Sequence, residues 1–234
     1  MCIRDRYFSG GMLGNLIIPM QFVVYSIFLP LSLIGVYGFS PAKASIPLIV
    51  NAISLAIGAN LFGYLISKVR LQMWIAIFGF LVNGFCTFLF GLTDLKISFI
   101  NLLILVSVQG FAIPGAFQAF MVCVQNALPE EKIEIVTSSL QFARVFGISI
   151  AGSILGGILI ISMVNYDFES PRNEIYDPDN ITSTVKIEEI KQKYISSGQV
   201  DLFEKDLNIS RENLKGGLRI VYYASSLTAI LGVF

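Results

Sequence analysis

Long apolar stretches, separated by short polar segments, dominate the pattern of this chain. Six of them occur, over residues 16–37, 46–66, 73–92, 98–123, 139–164 and 217–234. The first four contain no charged residue, whereas the fifth and sixth each carry one arginine near the start, Arg144 and Arg219. Because a bilayer core of about 30 Å is crossed by about 20 apolar helical residues, each stretch predicts a membrane-spanning helix. We therefore expect an all-α integral membrane protein with six transmembrane helices.

The segment between the fifth and sixth stretches, residues 165–216, differs from the other connections in length and charge. It holds eleven acidic and seven basic residues, together with clusters of Ser, Asn, Asp and Pro. An apolar repeat with helical spacing starts after Ser183 or Thr184 and stops at Gly198, and a second covers residues 200–207. We interpret the segment as an extramembrane loop, extracellular or lumenal, with one or two surface helices. A largely disordered loop is the alternative.

Both ends of the chain have unusual sequences. Residues 1–6, MCIRDR, are charged, fit no signal-peptide pattern and resemble translated read-through of a sequencing adapter, so we expect them to be non-native. Residues 7–164 then hold transmembrane helices one to five. The last helix, 217–234, stops without a polar flank and is expected to be truncated. The chain is interpreted as a fragment that lacks sequence on both sides.

Composition excludes several classes of function. Hydrophobic residues make up 55% of the chain and charged residues 14%, against about 25% charged residues in soluble domains. The formal net charge of zero argues against nucleic acid as a partner. The chain has no histidine and only three widely spaced cysteines, which excludes His-dependent catalytic triads and Cys or His metal sites. We expect no enzyme activity, no cofactor and no metal.

Basic residues in the short connections indicate the orientation in the membrane. With the N-terminal side in the cytoplasm, four of them lie on the cytoplasmic side: Lys68, Arg70, Lys132 and Arg144. Only Lys43 and Lys96 then lie on the opposite side. In this orientation the long loop faces outward with both glycosylation motifs, at Asn180 and Asn208.

Four short motifs follow one another between about residues 20 and 160. In chain order they are Phe28-Leu-Pro30 with Gly38-Phe-Ser40-Pro41 and Pro47; Gly58 with Gly63-Tyr-Leu-Ile-Ser-Lys68-Val-Arg70; Gly110, Gly115 and Gln125-Asn-Ala-Leu128-Pro129; and Phe142-Ala-Arg144-Val-Phe-Gly147 with Gly152. Their order and spacing resemble the major facilitator superfamily of transporters, in particular its 14-span drug:proton antiporter branch. The long loop before the last helix resembles fungal members. Leu33 and Ser45 depart from the family pattern, which has Gln and Gly there.

This resemblance implies a fold and a function. The chain would be the C-terminal half-bundle of the major facilitator fold, six helices built as a 3+3 inverted repeat. It would act as a secondary transporter, in proton-coupled export of small organic compounds, in the plasma membrane or the vacuolar membrane. Its partners would be the lipid bilayer, the missing N-terminal half with the coupling acids, the substrate and protons. A substrate-specific carrier for basic amino acids or siderophores is one alternative, and a non-transporting scaffold or receptor is another.

Helix-breaking residues occur in the first and fourth stretches, which are equivalent positions of a 3+3 repeat. Pro30 lies in the first stretch, and Gly110, Pro114 and Gly115 lie in the fourth. Interrupted helices at matching positions of inverted repeats mark the substrate path of many transporters, so these residues are candidates for gating. The alternative is that Gly and Pro are simply frequent in membrane helices.

Polar residues on two stretches are candidates for a substrate cavity. Gln21, Tyr25 and Ser32 fall within about 40° of one helical face, and Gln118 lies on the fourth stretch. Such groups face other helices or a water-filled cavity, and hydrogen bonding between helices is the alternative. Three isolated amides are expected to bond between helices: Asn51, Asn60 and Asn83.

Charged residues next to the membrane form a last group of candidates. Lys68 and Arg70 are candidates at the cytoplasmic face, and Arg144 either pairs across the two halves or binds an anion. The alternative for Arg144 is that it reaches back to the lipid headgroups. Small residues nearby, the pair Ala143 and Gly147 and the pair Gly152 and Gly156, predict close helix packing.

Overall fold

A computed structural model gives the fold of most of the chain. It describes residues 12–16, 19–68, 72–92, 98–126, 131, 133–164, 175, 180, 183–197 and 200–231, and these contain no β-strand. The first helix, α1, is described over residues 12–16 and 19–36. The others are α2 (Pro41–Lys68), α3 (Gln72–Leu92), α4 (Phe99–Asn126), α5 (Ile133–Val164), α6 (Thr184–Ser196) and α7 (Val200–Leu231).

Five of these helices have the length and hydropathy to cross a membrane. They are the spans Met12–Val36, Pro41–Lys68, Gln72–Leu92, Phe99–Asn126 and Ile133–Ser162. They coincide with the first five apolar stretches of the sequence. The sixth stretch forms the C-terminal half of α7, which begins at Val200 rather than at residue 217. Gly216 and Gly217 do not interrupt this helix, because the charged repeat before them continues the same helical spacing.

Helix connections place the ends of α3, α4 and α5 at one face of the bundle. The Asn126 amide at the end of α4 donates to the Gln72 carboxamide at the start of α3, at 3.0 Å. Gln125 donates to the Thr137 hydroxyl in the first turns of α5, at 2.9 Å. We call this the α3/α5-start face. Helices α3 and α5 therefore run in the same direction through the membrane and α4 runs against them.

Glycines allow α4 to pack closely between α2 and α3. A Cβ added at Gly58 of α2 would lie 3.1 Å from the Phe111 carbonyl carbon, and closer still to its oxygen. A Cβ at Gly79 of α3 would lie 2.8 Å from the Ala116 methyl group. These helices therefore meet backbone to backbone, as small residues permit in membranes.

The predicted close packing on α5 is present at only one of its two pairs. A Cβ at Gly147 would lie 2.7 Å from the Leu16 carbonyl oxygen. At Gly152 and Gly156 no described atom lies within 4 Å of the added Cβ. The second pair is therefore open in the described part of the chain.

The main apolar core takes side chains from α1, α3, α4, α5 and α7, with one residue from α2. Its fully buried side chains include Leu29 and Leu33 of α1, Leu155 of α5, and Leu214 and Leu218 of α7. A smaller cluster joins α6 to the first half of α7 through Ile190 and Phe203. The described part of the long loop therefore contains a helix, α6, at the position of the first apolar repeat.

Side-chain contacts fix the two ends of α6 and its position on α7. The Ser183 hydroxyl caps the helix by accepting from the Lys186 amide at 3.4 Å, which confirms one of the two predicted caps. Tyr194 donates to the Asp206 carboxylate at 3.3 Å.

Farther along α7, Arg211 lies against Gly38 after α1, where φ is +64° and only glycine fits easily. Partial burial lowers the pKa of Arg211.

Cysteine labelling tests this arrangement in the membrane. With native cysteines replaced by alanine, Glu188→Cys on exposed α6 should react with a membrane-impermeant maleimide. Phe85→Cys should stay unlabelled, because Phe85 projects from the middle of α3 on an apolar outer surface. Both variants carry a single cysteine in the same cysteine-free protein, so the labelling of one is the control for the other. Labelling at Phe85→Cys, or protection at Glu188→Cys, would contradict the assignment of spans.

Candidate functional site

A recess inside the bundle collects polar and aromatic side chains from four helices. It is small, with a volume of about 30 Å³, enough for about one or two water molecules. Helix α1 contributes Pro19, Gln21 and Phe22, α3 contributes Phe80 and Asn83, α4 contributes Ile113, Ala116 and Phe117, and α5 contributes Arg144 and Ile148. Two residues selected from the sequence, Gln21 and Arg144, therefore meet in one place.

The recess lies inside the bundle, between the α3/α5-start face and the middle of α3. Helix α3 has 21 residues, which at 1.5 Å per residue span about 31 Å, close to the thickness of a bilayer core. Asn83 lies eleven residues after Gln72 at its start, and Arg144 lies eleven residues after Ile133 at the start of α5. Asn83 is thus about 16 Å from the α3/α5-start face, whereas Arg144, seven residues after Thr137, is about 10 Å from it.

Arg144 is the charged group of the recess. Its guanidinium carbon lies 4.0 Å from the centre of the Phe117 ring, in a cation–π contact. No described acidic residue forms an ion pair with it. Stacking on a ring covers one face of the guanidinium and leaves its N–H groups free at the edge.

Amides connect the recess to a polar ladder across three helices. Asn51 of α2 donates to the Gln109 carboxamide oxygen at 2.8 Å, and Gln109 donates to the Asn83 oxygen at 3.4 Å. Gln109 is fully buried. Asn51 and Asn83 therefore bond between helices as expected, whereas Asn60 bonds to the Ala56 carbonyl of its own helix.

Gln21 and Tyr25 belong to a second network, which joins α1, α3 and α7. Gln21 donates to the Ser225 carbonyl and, at 3.3 Å, to the Thr228 hydroxyl. The Thr87 hydroxyl donates to the Gln21 oxygen at 3.0 Å and lies 3.0 Å from the Tyr25 hydroxyl. Both side chains are therefore engaged between helices, and only Gln21 also lines the recess. This geometry favours the interhelical alternative for Tyr25.

Ser32 lies in a separate small recess between α1, α3 and α7. Its hydroxyl accepts from Tyr222 at 3.2 Å, and Lys215 and Arg219 of α7 line the same space. Arg219 donates to the Gly91 carbonyl at 2.9 Å. Gln118 lies elsewhere again, beside Gly63 of α2. The four polar candidates therefore do not form one cavity.

The predicted helix breaks differ between α1 and α4. In α1, Pro30 sits in a short α-helical turn between two π-helical turns, Val24–Phe28 and Ser32–Val36. Such wide turns are rare and often occur at functional sites. Helix α4 instead continues as one helix through Gly110, Pro114 and Gly115. The two glycines there pack against neighbours, Gly110 on Asn51 and Gly115 on the Phe62 ring.

The remaining candidates lie at the periphery. Lys68 is exposed at the end of α2 and lies 4.4 Å from the Tyr64 ring, while Arg70 lies outside the described residues. Asn180 is half-buried shortly before α6, and Asn208 is exposed on α7.

An outer groove between α3 and α4 is almost entirely apolar, with Phe85 and Val108 among its lining residues. Surfaces of this kind face lipid.

Comparison with known proteins identifies the family. The family model of the Major Facilitator Superfamily matches residues 2–152, more than half of the chain. The chain belongs to the major facilitator superfamily. No curated protein and no solved structure matches it. Membership makes the helical bundle a half-bundle of the major facilitator fold and makes the chain a multi-pass membrane protein of a secondary transporter. Its substrate is a small molecule, and the family consists of transporters rather than enzymes.

Sequence reasoning missed Thr87 and the position of Asn83 at the recess. Thr87 connects Gln21 to Tyr25, and Asn83 joins the amide ladder to the recess. The two residues lie four apart, so they share one face of α3. A polar pair at this spacing within an otherwise apolar helix is a sequence signal for an inward-facing surface.

Proposed function

We propose that this chain forms the C-terminal half of a proton-coupled exporter of small organic compounds, of the multidrug type. The observation that carries the proposal is the recess inside the bundle, where Arg144, Asn83 and Gln21 line the same space as three aromatic rings. Polar groups are costly at this depth. A path for solutes would explain why polar side chains line this recess, since a core with only a structural role is usually apolar.

Proton coupling rests on the resemblance to the antiporter branch. The chain has no acidic residue between residues 6 and 93, between 95 and 129, or between 135 and 166. The five membrane-spanning helices therefore offer almost no carboxylate inside the membrane. In this proposal the coupling acids belong to an N-terminal half of the complete transporter.

Orientation and location complete the proposal. The N-terminal side lies in the cytoplasm, and residues 165–216 lie outside the membrane with Asn180 and Asn208 available for glycosylation. Pro30 and the wide turns beside it bend during gating, Gln118 contacts the substrate from α4, and Lys68 and Arg70 lie at the cytoplasmic face. The membrane is the plasma membrane or the vacuolar membrane.

Transport by the full-length parent protein in vesicles tests the function. We expect it to move at least one of a cationic, a neutral and an anionic dye, and to do so faster with an imposed pH gradient. Vesicles that lack the protein provide the control. Movement of lysine but no dye would favour the substrate-specific carrier. Movement of no solute under any gradient would contradict transport and favour a scaffold or receptor.

A further inference from the structure

The outer groove between α3 and α4 is wider than a single hydrocarbon chain. Its volume is about 570 Å³. On α3 its lining residues extend from Phe78 to Leu89, eleven residues apart, which corresponds to about 16 Å of helix. The mean cross-section of the groove is therefore about 35 Å². An extended acyl chain, which is only one methylene group wide, would leave part of this width empty.

Hydrocarbon side chains form almost all of the groove. Leu81 and Phe85 of α3 and Ile104 of α4 project from its rims, and each is more than half exposed. Val82 and Leu105 lie deeper and are half-buried. An exposed apolar groove on a membrane helix pair binds an apolar molecule, because a hydrated one would have to lose its water without gaining hydrogen bonds.

One polar side chain, Asn101, lies at one end of this apolar lining. It follows the start of α4 by two residues, and its neighbour across the groove is Leu89, three residues before the end of α3. The carboxamide is exposed, and it forms no hydrogen bond to any residue that the structure describes. Asn101 therefore offers an unused polar group near the boundary between hydrocarbon and headgroups.

The two features together select an amphiphile with a rigid body and one hydroxyl. A carboxamide both donates and accepts hydrogen bonds, and so does a hydroxyl. A phosphate or carboxylate is bound best by a cation, and no charged residue is found among the described residues that line the groove. The length of the groove, about 16 Å, also matches one leaflet, which is half of a bilayer core of about 30 Å.

We propose that this groove is a sterol-binding site, in which the sterol stands upright in one leaflet with its hydroxyl on Asn101. The carboxamide donates to the hydroxyl oxygen and accepts its proton in a second hydrogen bond. The fused rings lie between Phe85 of α3 and Ile104 of α4, where they fill the space between the two helices on the lipid side. The site is separate from the recess around Arg144, so it does not depend on the proposed transport function.

Photolabelling of the full-length parent in phosphatidylcholine nanodiscs tests this site. The probe is cholesterol with a photoreactive diazirine on its ring system, and labelled peptides are identified by mass spectrometry. Label should concentrate on residues 78–89 and 101–108, and excess cholesterol should suppress it. Epicholesterol, which differs only in the configuration of its hydroxyl, should compete about fivefold less well, because it loses the hydrogen bonds to Asn101.

Two outcomes of the labelling would overturn the proposal without any substitution in the protein. Label spread evenly over the lipid-facing helices would mean that acyl chains of the bilayer cover the groove. Equal competition by cholesterol and epicholesterol would mean that no group of the protein recognises the hydroxyl.

Substitutions on α4 separate the filling of the groove from recognition of the hydroxyl. Val108→Trp places a large ring inside the groove and should reduce its labelling about tenfold. Ile57→Trp, on an exposed surface of α2, is the matched control and should leave labelling of the groove unchanged. Asn101→Leu should retain labelling but remove the difference between cholesterol and epicholesterol. Full labelling in Val108→Trp, or an epimer preference that survives in Asn101→Leu, would contradict the site.

Discussion

Gly58→Ala should destabilise the bundle by about 1–3 kcal/mol, although alanine is the better helix former. The added methyl group would meet the backbone carbonyl of Phe111 on α4, and backbone atoms of a packed helix do not move aside easily. Helices α2 and α4 would have to separate along their closest contact. The expected result is therefore a less stable protein from a substitution that usually stabilises helices.

Gly63→Ala is the matched control on the same helix. Its new methyl group would lie 3.5 Å from the Gln118 side chain, an ordinary contact with a flexible group, so stability should be unchanged or slightly higher. Unfolding is measured by the reaction of the buried Cys86 thiol with a fluorogenic maleimide, after Cys2 and Cys123 are replaced by alanine. Equal midpoints for the two variants would contradict the close crossing of α2 and α4.

Gln109→Leu should cost about 1–2 kcal/mol, because it removes the hydrogen bonds that join Gln109 to Asn51 and to Asn83. Gln109 is fully buried and connects Asn51 of α2 to Asn83 of α3. Leucine has a similar size, so the loss comes from the hydrogen bonds rather than from a cavity. The same Cys86 assay measures the change.

Asn60→Leu is the control for that substitution. Asn60 is exposed and, among the described residues, bonds to the Ala56 carbonyl of its own helix alone, so its replacement by leucine should leave stability nearly unchanged. If both variants unfolded at the same point, the amide ladder would not contribute to holding α2, α3 and α4 together.

The membrane-spanning helices were predictable because the bilayer sets their length. Charge-free stretches at 46–66 and 73–92 correspond to Pro41–Lys68 and Gln72–Leu92. Helix ends were less predictable, since a helix continues past the apolar stretch wherever polar residues keep helical spacing. Helix α5 begins at Ile133, six residues before the predicted start, and includes Glu134 in its first turn.

The partners of the polar side chains were not predictable from periodicity. Helical spacing placed Gln21 and Tyr25 on one face, but it contains no information about which helix that face meets. Their partners Thr87 and Ser225 lie on α3 and α7, far away in sequence. The depth of Arg144 was equally hidden, because it depends on the true start of α5 and on the neighbouring helix α3.

Thiol accessibility of the recess in the full-length parent tests the central claim, that a polar path for solute lies in the middle of these helices. In a background without native cysteines, Ile113→Cys lines the recess, and Val108→Cys on the same helix faces the apolar outer groove. A small water-soluble thiol reagent should modify Ile113→Cys and leave Val108→Cys unmodified, because water reaches only the recess. An unreactive Ile113→Cys, or equal reaction at the two positions, would contradict the account.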